Sequence, residues 1–265
     1  MIPRAHLTHW RSKAPWPADA QVEQDLVLSR ALVELFQDSA LADSLAFRGG
    51  TALHKLCFAQ PGRYSEDLDF VQRTSGPIGP IFDAIRRRLE PWLGAARTSH
   101  GQGTAAIVYR FDTTSLPVQR MRVKIEIQTR EHFAVFGARN LPFVVESPWF
   151  SGAVEIPSFA LEELLATKLR ALYQRKKGRD LYDLELALTS LAVDDAQVVA
   201  CLAHYLAHSR TRITRAAFEA NMEDKLADPA FVKDVAPLLR DPESYDAGRA
   251  AQLVRERLLA RLPGE

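Results

Sequence analysis

Two carboxylates two residues apart, Asp67 and Asp69, give the strongest chemical signal in this sequence. They lie in Ser65-Glu66-Asp67-Leu68-Asp69-Phe70, where apolar residues alternate with them. In a strand, residues two apart share a face, so Asp67 and Asp69 point one way while Leu68 and Phe70 point into a core. Two adjacent carboxylates with no cation between them repel, and a bound divalent metal is the commonest reason to place them so. Mg²⁺ suits the pair because it binds through one or two carboxylates and keeps substrate phosphates as further ligands. Upstream, Gly49-Gly50-Thr51 opens the helix-like run TALHKLCF. Glycines let a backbone come close to a phosphate, and the helix N-terminus after them offers free N–H groups. Ser65 falls two residues before Asp67, so in an extended segment it faces the same way. Alone, a glycine pair is a turn and an Asp-x-Asp occurs in many acidic turns. In this order they describe a phosphate cradle (Gly49, Gly50, Thr51, Ser65) followed by a metal-binding strand, an arrangement for nucleotide transfer.

Three further residues are candidates. The run 121–129, MRVKIEIQT, alternates: Val123, Ile125 and Ile127 face one way, Lys124, Glu126 and Gln128 the other. Glu126 becomes a third carboxylate if this strand pairs near Asp67 and Asp69; otherwise it is an exposed glutamate on an edge strand. Lys168 falls on the apolar stripe of a helix marked by Leu161, Leu164, Leu165, Leu169 and Leu172. A lysine there either snorkels to solvent or reaches a buried anion. Asp180 opens a further helix after the basic turn Lys176-Lys177-Gly178-Arg179, where its side chain can cap free N–H groups.

The elements that must position these residues fall into two parts. A helix spans about 19–42, with Asp19 as N-cap, and packs behind the sheet that carries the two aspartates. After the turn-rich QRTSGPIGP comes a helix over about 81–93 carrying Arg86, Arg87 and Arg88, an arginine triplet that is either solvated or touches a nucleic acid backbone. Strands over 105–113 and 121–129 are joined by a hairpin-sized link. Residues 1–18 and 131–157 read as irregular, with Phe143, Trp149 and Phe150 anchoring the second stretch to the core. From Pro157-Ser158 onward nearly everything is helical, with Ser158 as an N-cap. The expected organisation is an α+β core over 1–157 and a helical C-terminal domain over 158–265 that completes the active site.

The run GGTAL, then R-x-S-E-D-L-D-F, then TKLRALYQR and GRDLYDL far downstream, resembles the AbiEii/MenT nucleotidyltransferase toxins of abortive-infection and type IV toxin–antitoxin systems. These lie within the DNA polymerase β-like superfamily. The resemblance covers roughly residues 31–188, with motifs in three separate places in the same order. It implies a polymerase β-like nucleotidyltransferase core, a mixed sheet flanked by helices, followed by a helical part. It implies that Asp67, Asp69 and Glu126 hold one or two Mg²⁺ ions. Lys168 then contacts the nucleoside triphosphate, and Asp180 orients Lys168 or Arg179 or approaches the acceptor. The implied acceptor is a tRNA 3′ end, giving toxicity by blocked aminoacylation, and the implied partner is a separately encoded antitoxin.

Composition fits this. With 265 residues, 47% apolar and 25% charged, the chain is an ordinary globular protein. Its net charge of +1 means that any RNA surface must be local. The best local patch runs from Lys168 through Arg170, Arg175, Lys176 and Lys177 to Arg179, with His208, Arg210, Arg212 and Arg215 beyond. Cys57 and Cys201 lack metal spacing and read as buried free thiols in a reducing cytosol. The N-terminus has no apolar signal region, and no apolar run is long enough to cross a membrane. Three rival functions stay open: nucleotidylation of a protein, adenylylation of a small molecule, and a nucleotide-binding regulator without turnover.

Overall fold

The computed structural model describes residues 2–264. The chain divides into two compact units, Met1–Phe159 and Ala160–Glu265. The first unit runs α1 (Arg4–Trp10), α2 (Asp19–Phe36), α3 (Ser39–Ser44), β1 (Leu45–Arg48), α4 (Gly49–Leu56), β2 (Asp67–Gln72), α5 (Gly79–Leu93), β3 (Arg97–Gly101), β4 (Thr104–Asp112), β5 (Arg120–Gln128), β6 (Arg139–Glu146) and β7 (Ser151–Ser158). The seven strands form one mixed sheet in the order β3-β4-β5-β2-β1-β7-β6. The aspartate strand β2 is therefore central, antiparallel to β1 and parallel to β5.

The alternation along β2 sets the sheet's two faces. Leu68 and Phe70 are fully buried, and the Phe70 ring lies 5.1 Å from that of Phe47 on β1 and 5.7 Å from Phe36 on α2. Val123, Ile125 and Ile127 of β5 complete this core face. Helix α2 covers it, as its apolar pattern requires. It also carries Glu23, Gln24 and Asp25, all buried and all bonded. Asp25 accepts from the Trp10 indole at 2.9 Å and the Lys55 ammonium at 3.0 Å. Residues 1–18, read as irregular, thus contain a helix pinned by a buried polar network.

Two other expectations are corrected. Residues 131–157 hold the β6–β7 hairpin, with Phe143 on β6 and Trp149 and Phe150 in its turn. Trp149 does anchor the segment: it packs edge-on to Trp92, and the Arg30 guanidinium lies 4.1 and 4.8 Å from the two rings. Ser158 ends β7, donating its hydroxyl to the Phe47 carbonyl, and the following helix has Ala160 as N-cap. Within the arginine triplet, Arg86 pairs with Asp83 at 3.0 Å and Arg88 donates to the Glu34 carbonyl at 2.9 Å.

The second unit is helical: α6 (Leu161–Gln174), α7 (Gly178–Ser190), α8 (Asp195–His208), α9 (Arg215–Leu226), α10 (Pro229–Lys233) and α11 (Ala247–Arg257). Leu164, Leu165, Leu169 and Leu172 of α6 are buried, as are Leu181, Leu184 and Ala187 of α7. Gly178 opens α7 against the backbone of α10, where a Cβ would come within 2.1 Å of the Phe231 carbonyl oxygen. Lys225 is buried and satisfies the end of α6 by donating to the Tyr173 carbonyl at 2.9 Å. Among the described residues no helix is long and apolar enough to cross a membrane.

Candidate active site

The β1–α4 turn and the start of β2 build the first cluster. Gly49 has φ +79°, a conformation only glycine adopts freely, and a Cβ there would lie 2.4 Å from Asp69 Oδ2. The glycine thus lets the Asp69 carboxylate lie against the first turn of α4, at the positive end of that helix's dipole. Thr51, fully buried, donates its hydroxyl to the Asp67 carbonyl, so the Ser65 hydroxyl, 2.7 Å away, donates to Thr51. The Thr51 proton is therefore spent on holding the loop to the strand. Its part in a phosphate cradle is left to its backbone.

Asp67 and Asp69 share the open face of β2, half-buried, with Asp67 Oδ1 buried and lacking any hydrogen-bond partner. Burial, then the neighbouring Asp69 and Glu66 charges, push the Asp67 carboxyl up from 3.8 to about 6. Register places Asp69 opposite Glu126 and Asp67 opposite Lys124. Glu126 therefore lies beside the pair, but its carboxylate is taken by the Lys124 ammonium. Burial works against the Lys124 charge, yet Glu126, Asp67 and Asp69 hold its pKa above the ordinary value. The pair is not free of cations, as its sequence suggested: Arg122 approaches Asp67 Oδ1 to 3.8 Å without bonding it. Among the described residues no three His, Cys, Asp or Glu side chains are already gathered as a metal cluster. Two carboxylates, one with an unsatisfied buried oxygen, fit a hard cation that takes its remaining ligands from water and phosphate.

Arg48, which the motif reading passed over, pairs in register with Asp69 and lies on the same face. Its guanidinium is 3.7 Å from Glu131. The signal was present in the sequence, immediately before Gly49, but only cross-strand register puts it beside a carboxylate.

The second cluster belongs to the helical unit. Lys168 does not snorkel: it is buried, with Nζ 3.0 Å from Asp180 Oδ1 and 2.8 Å from Asp183 Oδ2, both aspartates being fully buried. Arg175 closes the network at 2.7 Å from Asp180 Oδ2. Burial opposes ionisation of Asp180, but Lys168 and Arg175 outweigh it and hold the carboxyl below its usual range. Helix α7 begins at Gly178, and its first-turn Arg179 N–H donates to Asp234 Oδ2 at 3.3 Å, so Asp180 is an ion-pair partner where a cap was expected. Asp183 holds Lys168 as closely as Asp180 does. In the basic turn, Lys176 lies 3.5 Å from Asp228 and Lys177 3.6 Å from Asp234.

The family model that matches this chain, over residues 30–253, is that of the nucleotidyl transferase AbiEii toxins of type IV toxin–antitoxin systems. Among solved structures, MenT4, a nucleotidyltransferase toxin from Mycobacterium tuberculosis H37Rv, aligns over 99% of this chain and 91% of its own, with 20% identity and a TM-score of 0.69. JHP933 from Helicobacter pylori aligns over 92% and 95%, with 21% identity and a TM-score of 0.57. No curated protein matches the sequence. At these identities the two structures establish the fold, a mixed seven-stranded sheet with flanking helices.

Proposed function

Because this chain belongs to the AbiEii family of nucleotidyl transferase toxins, we propose that it transfers a nucleoside monophosphate from a nucleoside triphosphate to the 3′ end of tRNA, with Mg²⁺, and is restrained by a separately encoded antitoxin. The observation that carries the metal-dependent reading is the Asp67–Asp69 pair, with one buried carboxylate oxygen lacking a partner. Bound Mg²⁺ would orient the triphosphate and neutralise charge developing on the leaving pyrophosphate. Asp67 and Asp69 would hold it, and Glu126 could join them only by releasing Lys124. The backbone of Gly49, Gly50 and Thr51 offers N–H groups to phosphate, with Ser65 beside them. The acceptor hydroxyl attacks the α-phosphorus, the bond to the β-phosphate breaks, and the hydroxyl proton goes to Asp69 or Glu126. Lys168 is proposed to contact the nucleotide and Asp180 to orient it; the grip of Asp180 and Asp183 on the ammonium supports the orienting role most directly.

The test is incubation of the purified protein with each labelled nucleoside triphosphate, Mg²⁺, and either total RNA or total protein. Label in tRNA is the expected result. Label confined to protein moves the assignment to protein nucleotidylation. No transfer to any acceptor, under conditions where the triphosphate binds, rejects the catalytic reading.

A further inference from the structure

On the open face of the sheet, next to the carboxylate pair, lies a cavity of about 180 Å³ with no role so far. Its floor is Ala46 of β1 and Val71 of β2, which pair in register. The neighbouring same-face pair along these strands is Arg48 and Asp69. The cavity therefore begins roughly 6.6 Å along the strand from Asp69, two residues at about 3.3 Å each. Two phenylalanines, Phe133 and Phe159, line it, with Arg73 and His132 as polar members. His132 Nδ1 lies 2.7 Å from the Gln72 carbonyl oxygen. A carbonyl only accepts, so Nδ1 carries the proton and Nε2 is the acceptor of the neutral ring. The Arg48 guanidinium stands 5.9 Å from the Phe159 ring, between cavity and carboxylates.

We propose that this cavity holds the base of the incoming nucleoside triphosphate; the inference rests on the nucleotidyltransferase reading of Asp67 and Asp69. A flat aromatic heterocycle is the occupant that this lining suits. Two phenyl rings supply a stacking surface that every base can use, while His132 and Arg73 supply one acceptor and several donors for its edge. Two small floor residues leave the depth. The spacing matches the reach from an α-phosphate held at Asp67 and Asp69, across a ribose, to its base. Arg48 lies along that path, where a phosphate or ribose oxygen would meet its guanidinium. The volume is too small for a whole nucleotide, so the phosphates must lie outside it, over the carboxylates.

Two variants test this by binding, without turnover. Ala138→Trp fills the cavity from its exposed rim, and Phe133→Ala removes a stacking ring. Calorimetry in Mg²⁺ compares the four nucleoside triphosphates with inorganic tripolyphosphate, which has no base. Each variant is expected to weaken nucleoside triphosphate binding at least about tenfold and leave tripolyphosphate unchanged. Unchanged nucleoside triphosphate affinity in both variants overturns the proposal, and so does an equal loss for tripolyphosphate, which would mean a disturbed metal site. If affinity holds and only the KM for the RNA acceptor rises, the cavity serves the acceptor's terminal base and this assignment is wrong. Wild-type protein that binds nucleoside triphosphates, loses them with Ala138→Trp, and transfers to no acceptor would sink the enzymatic reading while sparing the cavity. Wild-type protein that binds none sinks both.

Discussion

The protein carries two pairs of aspartates, and they are built in opposite ways. Asp67 and Asp69 stand half-buried on an open sheet face, one oxygen of Asp67 is unsatisfied, and its carboxyl is pushed up to about 6. Asp180 and Asp183 are fully buried, share Lys168, and Arg175 adds a second cation to Asp180, whose carboxyl is held low. The first pair keeps a buried oxygen without a hydrogen bond although Arg122, Lys124 and Arg48 stand near it, and the second is bonded directly by Lys168 and Arg175. A buried carboxylate oxygen that folding leaves unsatisfied is what a cation-binding site looks like without its cation. A balanced buried network is what a fold retains for its own geometry. The difference separates the residues best suited to hold a metal from those best suited to hold each other.

The largest expected effect breaks the comparison on its first side. Asp67→Asn or Asp69→Asn should lower transfer by roughly 10³-fold or more, since several kcal/mol of transition-state stabilisation go with the metal. Melting temperature should hold or rise, because each change removes a repelling charge. Normal transfer by a well-folded variant would show that the unsatisfied pair is not the metal site.

On the second side the order of effects reverses. Lys168→Ala removes the ammonium that both fully buried aspartates hold, and should cost about 3–5 kcal/mol of stability. Lys168→Met with Asp183→Asn removes both charges and should recover much of that loss. Transfer measured on this stable double variant then isolates the proposed contact to the nucleotide. If transfer returns with stability, Lys168 acts only through the fold; if the fold returns and transfer does not, the lysine has a chemical role.

Acid titration sharpens the same contrast. Asp67 is raised from 3.8 to about 6, so between these values the folded protein keeps a proton that the unfolded chain has lost. Stability from this group falls as pH rises through that window, by about 1 kcal/mol after allowing for its 30% exposure. Asp180 has the opposite sign. Its contribution is present above the ordinary aspartate value and is lost as pH falls through its depressed one. If Asp67 holds Mg²⁺ as proposed, it must be ionised to do so, and the melting shift produced by Mg²⁺ should grow as pH rises through about 6 and then level off. A shift independent of pH between 5 and 7 would mean that Asp67 is not a ligand.

How far the sequence revealed this depends on the range of the interaction. Asp67 and Asp69 were legible because period-two alternation with Leu68 and Phe70 is local and has one structural meaning. Gly49 was legible as a glycine that must be one, although the group close to it turned out to be Asp69. Arg48, Lys124 and Arg122 were not legible as neighbours of the pair, because cross-strand register is set by the whole sheet. The sequence left Glu126 open between a place beside the pair and an exposed edge; register puts it beside Asp69, and its engagement with Lys124 needed side-chain geometry. The β6–β7 hairpin was hidden by Pro142 and Pro157, which sequence rules count against strands, though prolines are tolerated at an edge or strand end. Lys168 could be placed on a buried stripe, but its choice between solvent and an anion depended on which helix packs against α6.

The smallest expected effect concerns the acceptor. Lys176 and Lys177 are exposed cations in the turn before α7, suited to an RNA backbone, but Asp228 and Asp234 already stand near them. A lysine that leaves a carboxylate to meet a phosphate gains less than a free one, and releases fewer counterions. Full counterion release would steepen the dependence of log affinity on log salt by about 0.7 per phosphate on a single strand, or about 1.4 for both. With their acidic neighbours in place, Lys176→Gln with Lys177→Gln should flatten the slope by about 1 and weaken tRNA modification a few-fold at low salt. Nucleoside triphosphate affinity should not change. The measurement is transfer to purified tRNA across a salt series, wild type against the double variant. Identical slopes would mean that the two lysines serve Asp228 and Asp234 alone, and that any RNA path must be sought on other surfaces.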